Sequence, residues 1–141
     1  MTTKTIAAAL LALAAAPATW AQAACPSGSE ELMQRQILAA VNNSTMCAQR
    51  GDERWQEFHR SDNVLVDYKL GPTSKMDPSK PVGRWRTDKI GATGVLVQTY
   101  DGTSYSWRVC RTGPRQLTLL PHGGSQASVS VRMMDGQVSC R

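Results

Sequence analysis

The chain has 141 residues, with 16 Lys and Arg against 11 Asp and Glu, a formal net charge of +5, and 19% charged and 41% apolar residues. That length supports one domain with a modest core and leaves no room for a second. The basic residues are spread along the whole chain, so the charge speaks to solubility and weak long-range attraction for anions, not to a specific nucleic-acid site.

The first 23 residues read as a cleavable secretory signal: Lys4 is a short positive region, Ile6 to Ala16 an apolar run, and Ala21-Gln22-Ala23 an A-x-A cleavage site. The apolar run is too short to span a bilayer, and no later segment approaches the roughly 20 residues required. Gln22 stands where a lipobox would carry an aliphatic residue, which argues against a lipid anchor at Cys25. The reading is therefore an exported bacterial protein, periplasmic or secreted, with residues 24–141 forming one disulfide-stabilised domain and no transmembrane segment. A monomer is expected.

Residues 27–41 are predicted to form the one helix, opened by a capping box between Ser27 and Glu30, with Met33, Ile37, Ala40 and Val41 on one face. From Ser44 the period changes to two, and turn signals mark short strands at 44–49, 54–60, 64–69, 82–87, 94–100, 104–111, 115–120, 127–133 and 137–140. Asp101-Gly102 and Asp135-Gly136 are the best hairpin signals. Arg50-Gly51-Asp52, which spells an integrin-recognition tripeptide, and Thr112-Gly113-Pro114 are further turns.

Alternation assigns Tyr105, Trp107 and Val109, Leu117 and Leu119, and Val129, Val131 and Met133 to an inner face, with Cys110 opposite. Val64, Val66 and Tyr68 are expected inside as well, and Trp85 opposite Arg84 and Arg86. One inner face repeated over many strands implies a mainly β fold, an antiparallel meander closing into a small barrel, because closure removes exposed edges. Residues 71–81 carry Pro72, Pro78 and Pro81 and read as a long loop, either a passive crossover or a binding lid.

Cys25, Cys47, Cys110 and Cys140 allow two bridges in three pairings. Cys25 with Cys47 and Cys110 with Cys140 is the leading expectation. Cys47 with Cys140 is the alternative if first and last strands pair. No C-x-x-C occurs and neither histidine sits at ligand spacing from a cysteine, so no metal, cofactor or redox site is assigned. No catalytic motif is present either. Glu57 and His59 share a strand face and are the one pair that could perform acid-base work, but with Glu53 they are read as an exposed polar edge. His122, in Pro121-His122-Gly123-Gly124, is read as exposed. Asn42 and Asn43 each begin a glycosylation sequon that matters only in a eukaryotic secretory path. Trp55, Trp85, Tyr105 and Trp107 are the candidate ligand-binding side chains, since aromatics on an inner barrel face either fill it or line a pocket.

Gly83-Arg84-Trp85 resembles the G-x-W of calycin-type barrels, although in lipocalins that motif lies on the first strand. The chain as a whole is similar to small uncharacterised exported bacterial proteins with lipocalin-like barrels. Gly102-Thr103-Ser104-Tyr105 resembles the G-x-x-Y core of periplasmic lysozyme inhibitors, with Asp101 where a Ser precedes the Gly. The first resemblance implies a non-enzymatic binding or accessory protein of the cell envelope, meeting an unidentified small ligand or envelope protein. The second implies an inhibitor of an extracytoplasmic hydrolase, with Tyr105 and the 101–104 turn as its inserting loop.

Overall fold

A computed structural model describes residues 22–68, 75, 76 and 78–140. The proposed signal up to Ala21, and residues 71–74 and 77 of the 71–81 loop, lie outside the described residues. The strands are β1 (Glu30–Glu31), β2 (Ser44–Arg50), β3 (Glu53–His59), β4 (Val64–Asp67), β5 (Lys80–Ile90), β6 (Thr93–Tyr100), β7 (Thr103–Gly113), β8 (Gln116–Pro121) and β9 (Val129–Asp135), with one helix, α1 (Gln34–Val41). Strands β2 to β9 pair antiparallel in sequence order, and β9 returns to β2, so eight strands close into a barrel. The two-residue β1 is added on the edge of β7.

The turns follow the sequence closely. Gly51 (φ +58°) sits in the two-residue turn that brings Arg50 opposite Glu53, so the Arg-Gly-Asp triplet is a hairpin tip. Asp101 and Gly102 both take positive φ between β6 and β7, as a tight hairpin matching strand twist requires. Asp135-Gly136 makes no hairpin. Instead β9 ends there, and residues 137–140, expected as a strand, run as a tail across the outside of the barrel.

The helix begins seven residues later than predicted. Pro26 to Ser29 close a turn, with Ser29 N donating to the Pro26 carbonyl and Gly28 at φ +77°, and Glu30 and Glu31 then pair with β7. The chain is thus extended where a capping box had been read, and Gln36 Oε1 accepts from Met33 N at the true helix start. Ile37 and Val41 are fully buried, whereas Met33, assigned to the same face, is exposed.

Inner and outer faces follow from register. Met46 stands opposite Glu57, Ser44 opposite His59, and His59 opposite Leu65, so Glu57, His59 and Leu65 share the inner face with Met46. Trp85, Leu96, Trp107, Val109, Leu117, Leu119, Val129, Val131 and Met133 complete the inner core, as alternation predicted for most of them. Val64, Val66 and Tyr68 were expected inside and lie outside. They form a second cluster with Phe58, and the tail covers it: Tyr68 Oη donates to the Val138 carbonyl, and Val138 N donates to Thr45 Oγ1. A strand apolar on its outer face was read as inward because the sequence does not show the tail lying over it.

Both bridges form on the outside, and their pairing is Cys25–Cys110 and Cys47–Cys140, with sequence separations of 85 and 93. The leading expectation was therefore wrong and the alternative for Cys47 was right, although Cys140 reaches it from the tail beyond β9 and not from a last strand at 137–140. One bridge pins the N-terminal segment to β7 and the other pins the tail to β2. Loops this long correspond to about 4.5 kcal/mol each if the gain is purely entropic. Two bridges point to an oxidising, non-cytoplasmic compartment. No described helix is long and apolar enough to cross a membrane.

The barrel's two ends differ. At the end where β2 and β4 start, α1 packs on β2, β5 and β6. The approach is close: a Cβ on Gly94 would lie 2.4 Å from Gln34 N. Leu32 N donates to the Val109 carbonyl and adds to this closure. Gly83 plays a similar part in the wall, where a Cβ would meet the Thr99 carbonyl oxygen at 2.2 Å, so the glycine of Gly83-Arg84-Trp85 permits strand contact. Pro81, assigned to the loop, lies in β5 opposite Val66 beside a register shift, a place where a missing N–H is tolerated.

Candidate functional site

The opposite end holds a cavity of about 420 Å³. Its lining comes from inward positions of six strands, chiefly Arg50, Trp55, Glu57, Gln98, Tyr100, Tyr105 and Trp107, with Gln126 contributed by the loop before β9. It opens where β2 and β6 end and β9 begins, away from α1. Three of the four aromatic residues singled out in the sequence, Trp55, Tyr105 and Trp107, line it.

Trp85 does not. It points inward as expected but is 2% exposed and deeper, its ring 5.5 Å from that of His59 at 66°. Trp85 Nε1 donates to the Arg60 carbonyl and its main-chain N to the Asn63 carbonyl, so it ties down the β3–β4 turn. Its role is to build the floor.

The polar residues of the lumen are those assigned to an exposed edge. Glu53 is exposed, but Glu57 is 8% exposed and His59 fully buried. The error is one of position: at residue 53 the strand has just left the hairpin tip, whereas 57 and 59 lie inside a closed wall. Tyr100 Oη donates to Glu57 Oε2 at 2.7 Å, and Gln98 Nε2 lies 3.5 Å from the same oxygen. Gln98 Nε2 also lies 3.2 Å from His59 Nε2. With the amide as donor there, the imidazole proton resides on Nδ1, which lacks a partner of good geometry. Trp107 Nε1 is likewise buried without a partner.

Burial sets the charge states. It pushes the Glu57 carboxyl up to about 7, against the hydrogen bond from Tyr100, while Asp67, directly across on β4, adds to the rise. It pulls His59 down to about 4, with the Glu57 carbonyl opposing. Tyr100 is pushed above its ordinary range by burial and by Glu57. At neutral pH the imidazole is neutral, the phenol is protonated and Glu57 is balanced between its two forms.

Among the described residues the lining offers a carboxyl, two phenols and two indoles but no serine, cysteine or lysine. No cluster of three or more metal-ligating side chains occurs among the described residues. A second concavity, about 650 Å³, runs along the outward-facing row beside Cys47–Cys140. Its polar groups are partly engaged by the tail: Arg132 Nη2 donates to the Cys140 carbonyl and Cys140 N to Gln56 Oε1. Tyr105 is half-buried, facing the lumen, and the 101–104 turn is a short hairpin. His122, expected on the surface, is half-buried, and its main-chain N donates to the Ser106 carbonyl.

Fold and site together define a disulfide-pinned, eight-stranded antiparallel barrel, closed by a helix at one end and holding an aromatic cavity at the other. Comparison with protein-family models, curated proteins and solved structures finds no match.

Proposed function

We propose that this is an exported, non-enzymatic binding protein of the bacterial envelope, periplasmic or secreted, with a lipocalin-like use of its barrel: a small ligand enters the open end and is held in the lumen. The observation that carries this reading is the cavity at the unplugged end, where Trp55, Tyr105 and Trp107 converge with hydrogen-bonding groups on its wall. Apolar rings give most of the affinity in such sites and a few polar atoms fix orientation. Among the described residues the lining sets no serine, cysteine or lysine beside Glu57, which favours binding over turnover.

Chemical-shift mapping with a panel of compact aromatic compounds tests the site. Shifts concentrated on Trp55, Tyr105 and Trp107, and absent from Phe58 and Tyr68 on the outer wall, are expected. Shifts confined to the 101–104 turn, seen only with a hydrolase added, would turn the assignment to an inhibitor. Export is tested separately: the mature protein recovered from the envelope should begin at Ala24.

A further inference from the structure

Among the described residues Glu57 is the only carboxyl in the cavity lining, and its hydrogen-bond partners are neutral: Tyr100 and Gln98. Six ion pairs occur among the described residues, and none includes Glu57. The one basic side chain on the lining, Arg50, is held by Glu53 at 2.8 Å and stacks over Trp55 at 5.6 Å. Around Glu57 stand four aromatic side chains, Trp55, Tyr100, Tyr105 and Trp107, of which Tyr100 and Tyr105 are tilted walls with centroids 6.1 Å apart. Aromatic faces and a buried carboxyl both favour positive charge: the ring quadrupole attracts a cation, and the attraction grows as water is excluded.

Resting on the reading of the lumen as a ligand site, we propose that its ligand is a compact organic cation, a quaternary or protonated ammonium group set against the Glu57 carboxyl and enclosed by Trp55, Tyr100, Tyr105 and Trp107. Asp67 faces Glu57 from β4 and adds negative potential. Among the described residues, the other titratable or charged groups near it are Arg50 on β2, His59 on β3, Lys80 in register with Asp67 on β5, Tyr100 on β6 and Tyr105 on β7. His59 is neutral above about pH 4, and Lys80 is exposed, so neither neutralises Glu57 in the lumen. The incoming cation provides the counter-charge, and Glu57 releases its proton to solvent as the cation binds.

Three probes of one shape separate the possibilities: phenyltrimethylammonium, tert-butylbenzene and benzenesulfonate carry the same ring with a tetrahedral head that is positive, neutral or negative. Calorimetric titration of the oxidised protein at pH 8 should show the cation binding at least about tenfold more tightly than either of the others, a gap that the glutamate-free variant Glu57→Gln narrows to what the aromatic faces alone supply. The cation's charge does not titrate, so its affinity should fall about tenfold between pH 8 and pH 6, with net proton release at the lower pH. This wild-type measurement stands if Glu57→Gln does not fold. Equal or tighter binding of the neutral or anionic probe overturns the cation assignment and leaves the cavity reading standing. No heat and no shift of the Trp55 or Trp107 signals with any of the three overturns both.

Discussion

The two ends of this barrel are built from similar strands and finished in opposite ways. At one end Ile37 and Val41, on a helix that rests on a glycine, and Leu32 just before it are fully buried; at the other, half-exposed Trp55, Tyr100 and Tyr105 surround a buried carboxyl. The difference teaches that one end is built for burial, while the end proposed to bind keeps exposed surface. Side chains at the helix end are withdrawn from solvent, whereas those at the open end keep surface in contact with it and stand beside Glu57, whose protonation equilibrium burial has shifted.

Truncation is the strongest way to break this contrast. Ile37→Ala should cost about 3–4 kcal/mol in denaturant unfolding, because it leaves a void under a helix that cannot follow the lost atoms. Ligand affinity of the folded fraction should be little changed. If the cost is under about 1 kcal/mol, the helix is not the plug described here.

Next in size is the response to pH, which sharpens the contrast within the lumen itself. Glu57 binds its proton more tightly in the folded state, so its contribution is best below about pH 4.5 and is lost as pH rises to about 7. His59 binds its proton less tightly when folded, so its contribution is lost as pH falls from about 6.5 to about 4. Each amounts to about 3 kcal/mol, and over the shared window from about 4.5 to 6.5 the slopes oppose. The wild-type stability should therefore be nearly flat there. Glu57→Gln should unmask a stability rising with pH, and His59→Gln one that falls. Parallel profiles for wild type and both variants would show that these groups titrate as they do in the unfolded chain.

Tyr100→Phe is smaller, about 1 kcal/mol, since it removes one hydrogen bond to a group that is only partly charged at neutral pH. Its sharper signature is electrostatic: without the phenol donor, Glu57 should titrate still higher, measurable as a displaced carboxyl signal. The smallest expected effect on stability is that of Tyr105→Ala at the open end, about 1 kcal/mol or less, because the ring is only half-buried. Its effect on binding should nonetheless be large, the reverse of Ile37→Ala.

Much of the wall was legible in the chain. Eight of nine predicted strands form, and the inner faces of β7, β8 and β9 are those that alternation assigned, because a period of two is a local property of a pleated backbone. Three of the four aromatic candidates reach the cavity for the same reason. Glu57 and His59 were seen as a pair on one face but given the wrong side, since polarity was taken as a mark of solvent. A polar residue inside a barrel differs from one outside only in the register of neighbouring strands; alternation with Phe58 points the wrong way, and the clue on the right side is Trp55, which shares their strand face.

The sequence by itself determined the strand rhythm, the tight turns at Gly51 and Asp101-Gly102, and a cysteine set suited to an oxidising compartment. Only tertiary structure decided which cysteines meet, that Val64, Val66 and Tyr68 lie on the outer face with the tail bonded to Tyr68, and that Glu57 is buried in the lumen. Those outcomes depend on barrel closure and on segments far apart in the chain coming together, so no local pattern carries them. A β-strand declares its two faces, but what covers each face is settled by the rest of the molecule.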